Sequence, residues 1–269
     1  MTSSINPRTS LLATVLVGLS AALLPCREAA ADATNDPGTG KRSPVIFMCG
    51  DSTMANKPLF PAQPERGWGQ LLPLYFKESV RIENLAMNGR SSKSFRDEGR
   101  WQPIMDQLQP GDYVIVEFGH NDQKKDDPKR YSDALGTFKQ NLERYVREVR
   151  EKKGLPILAT PVTRRAFNGG EVKDTHGDYS VAVRQVATEQ KVPLLELHQR
   201  SAELVAKLGP ERSKSMYMWY EPGEFASLPE GKQDSTHFNA YGASRICDLA
   251  VEEINLNVPE LAAWLKSRK

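Results

Sequence analysis

The chain reads as a three-layer α/β domain with a central sheet of five parallel strands. Short β-branched runs alternate with longer stretches of helical period from "NDPGTGKRS" onward, which is the mark of repeated βαβ units. At 269 residues and 39 % hydrophobic content the chain can bury a sizeable core. No internal repeat, low-complexity tract or linker divides residues 44–269, so one domain is the economical reading.

The strands are predicted in order at Val45–Cys49 ("VIFMC"), Val80–Ala86, Tyr113–Gly119, Pro156–Thr160 and Pro193–Leu197. Helices are expected between them at Trp68–Lys77, Ser94–Leu108, Tyr131–Lys152 and Tyr179–Gln190. In the third of these Leu135, Phe138, Leu142, Tyr145, Val146 and Val149 fall on one face, with the charges on the solvated side. A fifth helix is predicted over Ala240–Asn255, its apolar positions including Tyr241, Ile246, Leu249, Ala250 and Ile254. The stretch Gly209–Ser235, rich in Gly, Pro and aromatics, reads as a long functional loop or as unrecognised short elements.

Ahead of the domain, Arg8 precedes the apolar run Leu11–Leu24 and then "PCREAAADA", a pattern expected of a secretory signal peptide and short for a membrane span. Cleavage after Ala31 would leave a flexible segment, 32–43, before the domain at 44–269, and a secreted or periplasmic protein. A lipid anchor at Cys26 is the competing reading, against which Pro25 stands where such signals want a small residue. A net charge of +2, from 36 basic and 34 acidic residues, argues against nucleic acid or an anionic membrane as the main partner. Cys49 and Cys247 sit in apolar segments and read as buried thiols, neither a disulfide framework nor a zinc site.

Ligands of an open parallel sheet bind outside the carboxyl ends of its strands. The first three strands end in "GDS", "MNGRSS" and "GHND", which brings Ser52, Gly89 and Asn121 to one edge. Taken alone, Ser52 reads first as the cap of a following helix. Together, the three supply what acyl transfer needs: a nucleophile, and N–H donors for the oxygen that becomes negative. At a helix N-terminus Ser52 would add its own N–H. Gly89 allows close approach of a backbone amide, or is simply a turn residue. Asp122 reads as an Asx-turn residue.

The base should be a histidine whose tautomer is fixed by a carboxylate. In "GKQDSTHFNAYGA", Asp234 stands three residues before His237, and a turn of that span brings it to Nδ1, leaving Nε2 for Ser52. His120 is the rival base, expected instead to pack behind Asn121. His198 is expected to be structural, and His176 to border the substrate from a long loop. Arg164 and Arg165, after the fourth strand, either meet an acidic sugar or are solvated loop charges. Tyr217, Trp219 and Tyr220 either stack on sugars or pack the loop.

"GDST", "NGRSS", "GHND" and "DSTHFNAYGA" resemble the four signature blocks of the SGNH (GDSL-type) hydrolases, in family order over essentially the whole of 44–269. "NLAMNGRSSKSF" and "ATPVTRRAF" are similar to the rhamnogalacturonan acetylesterase branch. The resemblance implies a flavodoxin-like α/β/α sandwich and deacetylation of a polysaccharide without metal or cofactor. It implies Ser52 as nucleophile, His237 as base and acid, Asp234 as its orienting partner, and Ser52, Gly89 and Asn121 as the oxyanion hole. An acetylated polysaccharide or oligosaccharide is then the expected partner, and a monomer the expected state. Because one fold serves many acyl esters, acetylated xylan, O-acetylated sialic acid, lipid esters, a non-catalytic glycan-binding relative and a metal-dependent hydrolase remain alternatives.

Overall fold

The computed structural model describes residues 42–267. The expected signal peptide, Cys26 and nearly all of the 32–43 segment lie outside them. In chain order the strands are β1 (Val45–Gly50), β2 (Arg81–Asn84), β3 (Tyr113–Glu117), β4 (Leu155–Ala159), β5 (Phe167–Asn168), β6 (Glu171–Val172), β7 (Leu194–Leu195), β8 (Tyr217–Tyr220) and β9 (Lys232–Phe238). The helices are α1 (Trp68–Leu71), α2 (Ser92–Asp97), α3 (Gln102–Gln107), α4 (Lys139–Glu151), α5 (Asp178–Glu189), α6 (Leu197–Arg212), α7 (Ala240–Asn257) and α8 (Pro259–Ala262).

Five strands form one parallel sheet in the order β2-β1-β3-β4-β7, the doubly wound order of flavodoxin-like folds. Every residue of β1 and β3 is buried, so both faces of the sheet are covered. Alternation sorts them: Ile46, Met48 and Ile115 enter one core with Trp68 and the apolar side of α7, while Val45, Phe47, Cys49, Val114 and Val116 enter another with α4 and α5. Cys49 and Cys247 are free and buried as expected, and the Cys247 thiol donates to the Trp68 carbonyl at 3.0 Å.

The departures from the expected elements have local causes. The Trp68–Lys77 helix is one turn of α-helix that tightens into a 3₁₀ turn, Leu72–Tyr75, at Pro73, which has no N–H to donate. The Ser94–Leu108 helix is two, α2 and α3, separated at Gly99, where φ is 71°. A π-turn at Ala134–Phe138 precedes α4; its extra residue shifts the apolar phase, and Leu135, expected inside, is 50 % exposed. Tyr241, likewise expected inside, is half exposed at the start of α7.

Gly209–Ser235 is not one loop. Its first residues finish α6, which breaks at Gly209 (φ 75°) before Pro210, and the remainder runs into the antiparallel β8–β9 hairpin. The sequence pattern assigns no helix at α6 because it follows β7 after a single residue and buries two polar side chains, His198 and Ser201, beside Leu197 and Val205. Among the described residues no helix is long and apolar enough to cross a membrane.

Candidate active site

Ser52 follows β1 in a single turn, not at the head of a helix. The Asp51 carbonyl accepts from the amides of Met54 (3.3 Å) and Ala55 (3.0 Å), and Asp51 Oδ1 accepts from Thr53 N and Oγ1, both at 2.9 Å. Gly67 lies against this turn, with Trp68 N donating to Thr53 O at 2.9 Å. A Cβ on Gly67 would stand 2.2 Å from the Ala55 carbonyl oxygen, so only glycine permits the approach that holds the turn.

His237 and Asp234 come from β9, where a flat strand would point residues three apart to opposite faces. The ladder avoids this by skipping: Met218 pairs with Asp234 and Tyr217 with Phe238, so residues 235–237 bulge out between adjacent partners. The bulge coils tightly enough for Asp234 Oδ1 to accept from the amides of Thr236 (2.8 Å) and His237 (3.0 Å). Asp234 Oδ2 then lies 2.8 Å from His237 Nδ1, and His237 Nε2 lies 2.8 Å from Ser52 Oγ. Burial pushes the Asp234 carboxyl up, but the hydrogen bond and charge of His237, with the two amides, outweigh it and hold Asp234 well below the usual carboxylate range.

Gly89 and Asn121 line the same cavity of about 490 Å³ as Ser52, Asp234 and His237. Gly89 needs its φ of 76° and not space, since a Cβ there would meet only Arg130 Nη1 at 3.8 Å. Asn121 Nδ2 donates to the Arg90 carbonyl at 3.1 Å, which ties the amide to the Gly89 turn and leaves one N–H directed elsewhere. Among the described residues, the Ser52 and Gly89 amides donate to no protein acceptor.

The three contributing segments are cross-braced by charges. Lys57, on the Ser52 loop and almost fully buried, donates to Asn88 Oδ1 at 2.5 Å and pairs with Glu65 at 2.8 Å. Glu65 also stands 3.7 Å from Lys232, whose ammonium is 3.6 Å from Asp234 Oδ2. Two further cations line the cavity, Lys124 and Arg164. Arg164 Nη atoms donate to the oxygens of Thr175 and to His120 O; Asp51 acts on both cations at a distance, and among the described residues neither makes an ion-pair contact with a carboxylate.

Other candidates lie elsewhere. Arg165 does not line the cavity; its guanidinium stacks 4.7 Å from the Trp219 ring and donates to Pro210 O and Ser213 Oγ. Trp219 donates to Ser235 Oγ at 3.1 Å and Tyr217 is fully buried with its hydroxyl on Thr163 O, so both pack the hairpin. His176, expected at the substrate border, is buried. It forms the middle of a row of edge-to-face rings, 4.4 Å from His120 and 5.4 Å from His198, with its Nε2 3.0 Å from the Val162 carbonyl oxygen.

Sequence reasoning anticipated that His120 packs behind Asn121 but missed the buried carboxyls around it. His120 Nδ1 stands 3.3 Å from Asp51 Oδ2, at ion-pair range. Burial pushes Asp51 up, but the charge of His120 and the Thr53 bonds outweigh it and hold Asp51 below its usual range. Glu117, at the end of β3, accepts from Trp68 Nε1 at 2.7 Å and Val162 N at 3.1 Å, yet burial and then the charge of Asp51 push it up to about 8. Asp122 is no surface Asx turn: it is fully buried and accepts from Ser92 N and Oγ, with burial raising it to about 7. The signal was available, since acidic residues inside or directly after apolar strands are rarely left without donors.

Residues 48–245 match the GDSL-like Lipase/Acylhydrolase family. Rhamnogalacturonan acetylesterase RhgT of Bacillus subtilis (strain 168) is 39 % identical over 215 residues, covering 80 % of this chain and 90 % of the relative. Probable rhamnogalacturonan acetylesterase YesY of the same organism is 35 % identical over 224 residues, covering 83 % and 98 %. Among solved structures, Bacillus subtilis protein YxiM aligns with a TM-score of 0.68 at 27 % identity, over 81 % of this chain and 57 % of that longer one. Axe2, an acetylxylan esterase from Geobacillus stearothermophilus, aligns with a TM-score of 0.58 at 18 % identity over 84 % and 97 %, a likeness of fold. The chain therefore belongs to the GDSL-like lipase/acylhydrolase (SGNH) family and is a carboxylic ester hydrolase, similar to rhamnogalacturonan acetylesterases.

Proposed function

We propose that this protein is a secreted serine esterase that removes O-acetyl groups from an acidic, pectin-type polysaccharide. The observation that carries the chemistry is the unbroken contact chain Ser52 Oγ to His237 Nε2 to Asp234 Oδ2, with both links at 2.8 Å. Ser52 Oγ attacks the acetyl carbonyl carbon while His237 Nε2 takes its proton, and Asp234 holds the ring so that Nε2 is the free nitrogen. The negative oxygen is met by the amides of Ser52 and Gly89 and by the Asn121 side-chain N–H. The tetrahedral adduct collapses with cleavage of the bond to the sugar oxygen, which receives the proton from His237 and leaves as a hydroxyl. Water, deprotonated by His237, then attacks the acetyl-serine ester, and His237 returns that proton to Ser52 Oγ as the bond breaks and acetate is released.

The acidic substrate is supported by Lys124 and Arg164, two cavity cations that make no ion-pair contact with a carboxylate among the described residues, and by the acetylesterases among the relatives. Secretion rests on the apolar run after Arg8. In the test, Ser52→Ala folds as the wild type and loses at least a thousand-fold in acetate release. Retention of most activity sinks the serine mechanism. Faster release from acetylated xylan than from acetylated pectin sinks the substrate assignment.

A further inference from the structure

Residues 58–64 ("PLFPAQP") form a loop held between two feet, Lys57 and Glu65, the second of which stands on the wall of the cavity. At the base Lys57 pairs with Glu65 at 2.8 Å, and Glu65 lines the cavity itself. Arg66 N donates to the carbonyl of Phe238, the residue after His237, at 2.9 Å, and Arg66 Nη1 closes the base on Gln63 O and Glu65 O. Between these feet the tip is apolar and uncovered: Leu59 is 68 % exposed and Phe60 91 %, with Pro58, Pro61 and Ala62 also exposed. Phe60 is the most exposed of the exposed large hydrophobic side chains of the described residues. Three residues of chain carry it at most ~11 Å from the Lys57 backbone.

Resting on the polysaccharide reading above, we propose that Phe60 is a sugar-stacking platform. It receives the apolar face of a pyranose ring next in the chain to the acetylated sugar held in the cavity. An aromatic ring offers C–H bonds of a sugar a large flat surface with little entropy to lose, and the prolines flanking the tip restrict its backbone further. The patch suits this occupant better than a second copy of the chain. Two large apolar side chains on one loop fall far short of the ~800 Å² per partner that a stable protein interface buries. The charged cavity at the foot of the loop already calls for a polar ligand, and a sugar chain is polar at its edges and apolar on its faces.

The test uses the purified protein with two substrates, acetylated pectin polymer and 4-nitrophenyl acetate. Phe60→Ala is expected to raise KM for the polymer roughly ten-fold, with kcat and hydrolysis of the small ester unchanged, and Phe60→Trp to retain the wild-type KM. Binding of the polymer to Ser52→Ala and to the Ser52→Ala/Phe60→Ala pair, by affinity electrophoresis, should show the same loss without turnover. Equal polymer binding by the pair overturns the platform while leaving the esterase reading intact. Failure of the wild type to hydrolyse either ester sinks the esterase reading, and the binding comparison still decides the platform. Light scattering that finds a dimer dissolved by Phe60→Ala overturns the proposal in favour of a second copy as occupant.

Discussion

A serine hydroxyl attacks an ester slowly until a base can take its proton, and a histidine serves as that base only when the right ring nitrogen is free. In the proposed mechanism the bulge of β9 makes the choice, by putting Asp234 Oδ2 on Nδ1 at 2.8 Å. The oxyanion donors proposed above differ in how they are held: two are backbone amides, whereas Asn121 is a side chain steadied by one hydrogen bond to Arg90 O. Asn121→Ala is expected to lower kcat by ~10²–10³ with little change in KM, as measured with 4-nitrophenyl acetate. An equal loss expressed in KM alone would place Asn121 in substrate binding. Of the nominated residues, the grouping of Ser52, Gly89, Asn121, Asp234 and His237 around one cavity was legible because each follows a strand or precedes a helix in a recognisable block. His176 and Arg165 were not, because a polar loop carries no pattern that says whether it turns inward.

At the level of elements, the site depends on three segments keeping their spacing. Lys57 joins two of them directly, through Asn88 beside Gly89 and through Glu65 beside Lys232. Lys57→Met is expected to lower stability by about 3 kcal/mol, because Glu65 is left without its closest cation in a partly buried position, and to lower kcat as well. Adding Glu65→Gln should recover part of the stability in urea titrations, since no unpaired charge then remains. The lost kcat should not return, because Asn88 still lacks its donor. Recovery of both would make the pair a stability device only.

Across the whole molecule, the buried carboxyls give stability a pH dependence opposite to that of Asp234. Glu117 and Asp122 ionise from about 4.5 and 3.8 when unfolded but are raised to about 8 and 7 in the fold, so the folded state holds extra protons between those values. Their contribution is full below pH 4 and is lost as pH rises through 7 to 8. Asp234, lowered in the fold, contributes above its ordinary 3.8 and loses that contribution as pH falls. Burial holds His120, His176 and His198 below their ordinary 6.5, so they add stability as pH rises to that value. Tm is therefore expected to fall above it, between pH 7 and pH 8, and Glu117→Gln to flatten the fall while costing a hydrogen bond. A Tm that rises over this window overturns the assignment.

The alternation of strands with helices, and which residues stand just after each strand, were determined by the sequence itself. Apolar runs of strand length, separated by helical stretches, leave a parallel sheet as the arrangement that buries both faces, and a parallel sheet delivers every strand end to one edge. Local sequence does not encode where a skipped pair falls: the three-residue bulge that joins Asp234 to His237 is set by the pairing of β9 with β8. The same holds for the buried carboxyls and His120. Asp51, Glu117 and His120 are adjacent only because strands far apart in the chain lie side by side, and their charges are set by that neighbourhood and by the exclusion of water.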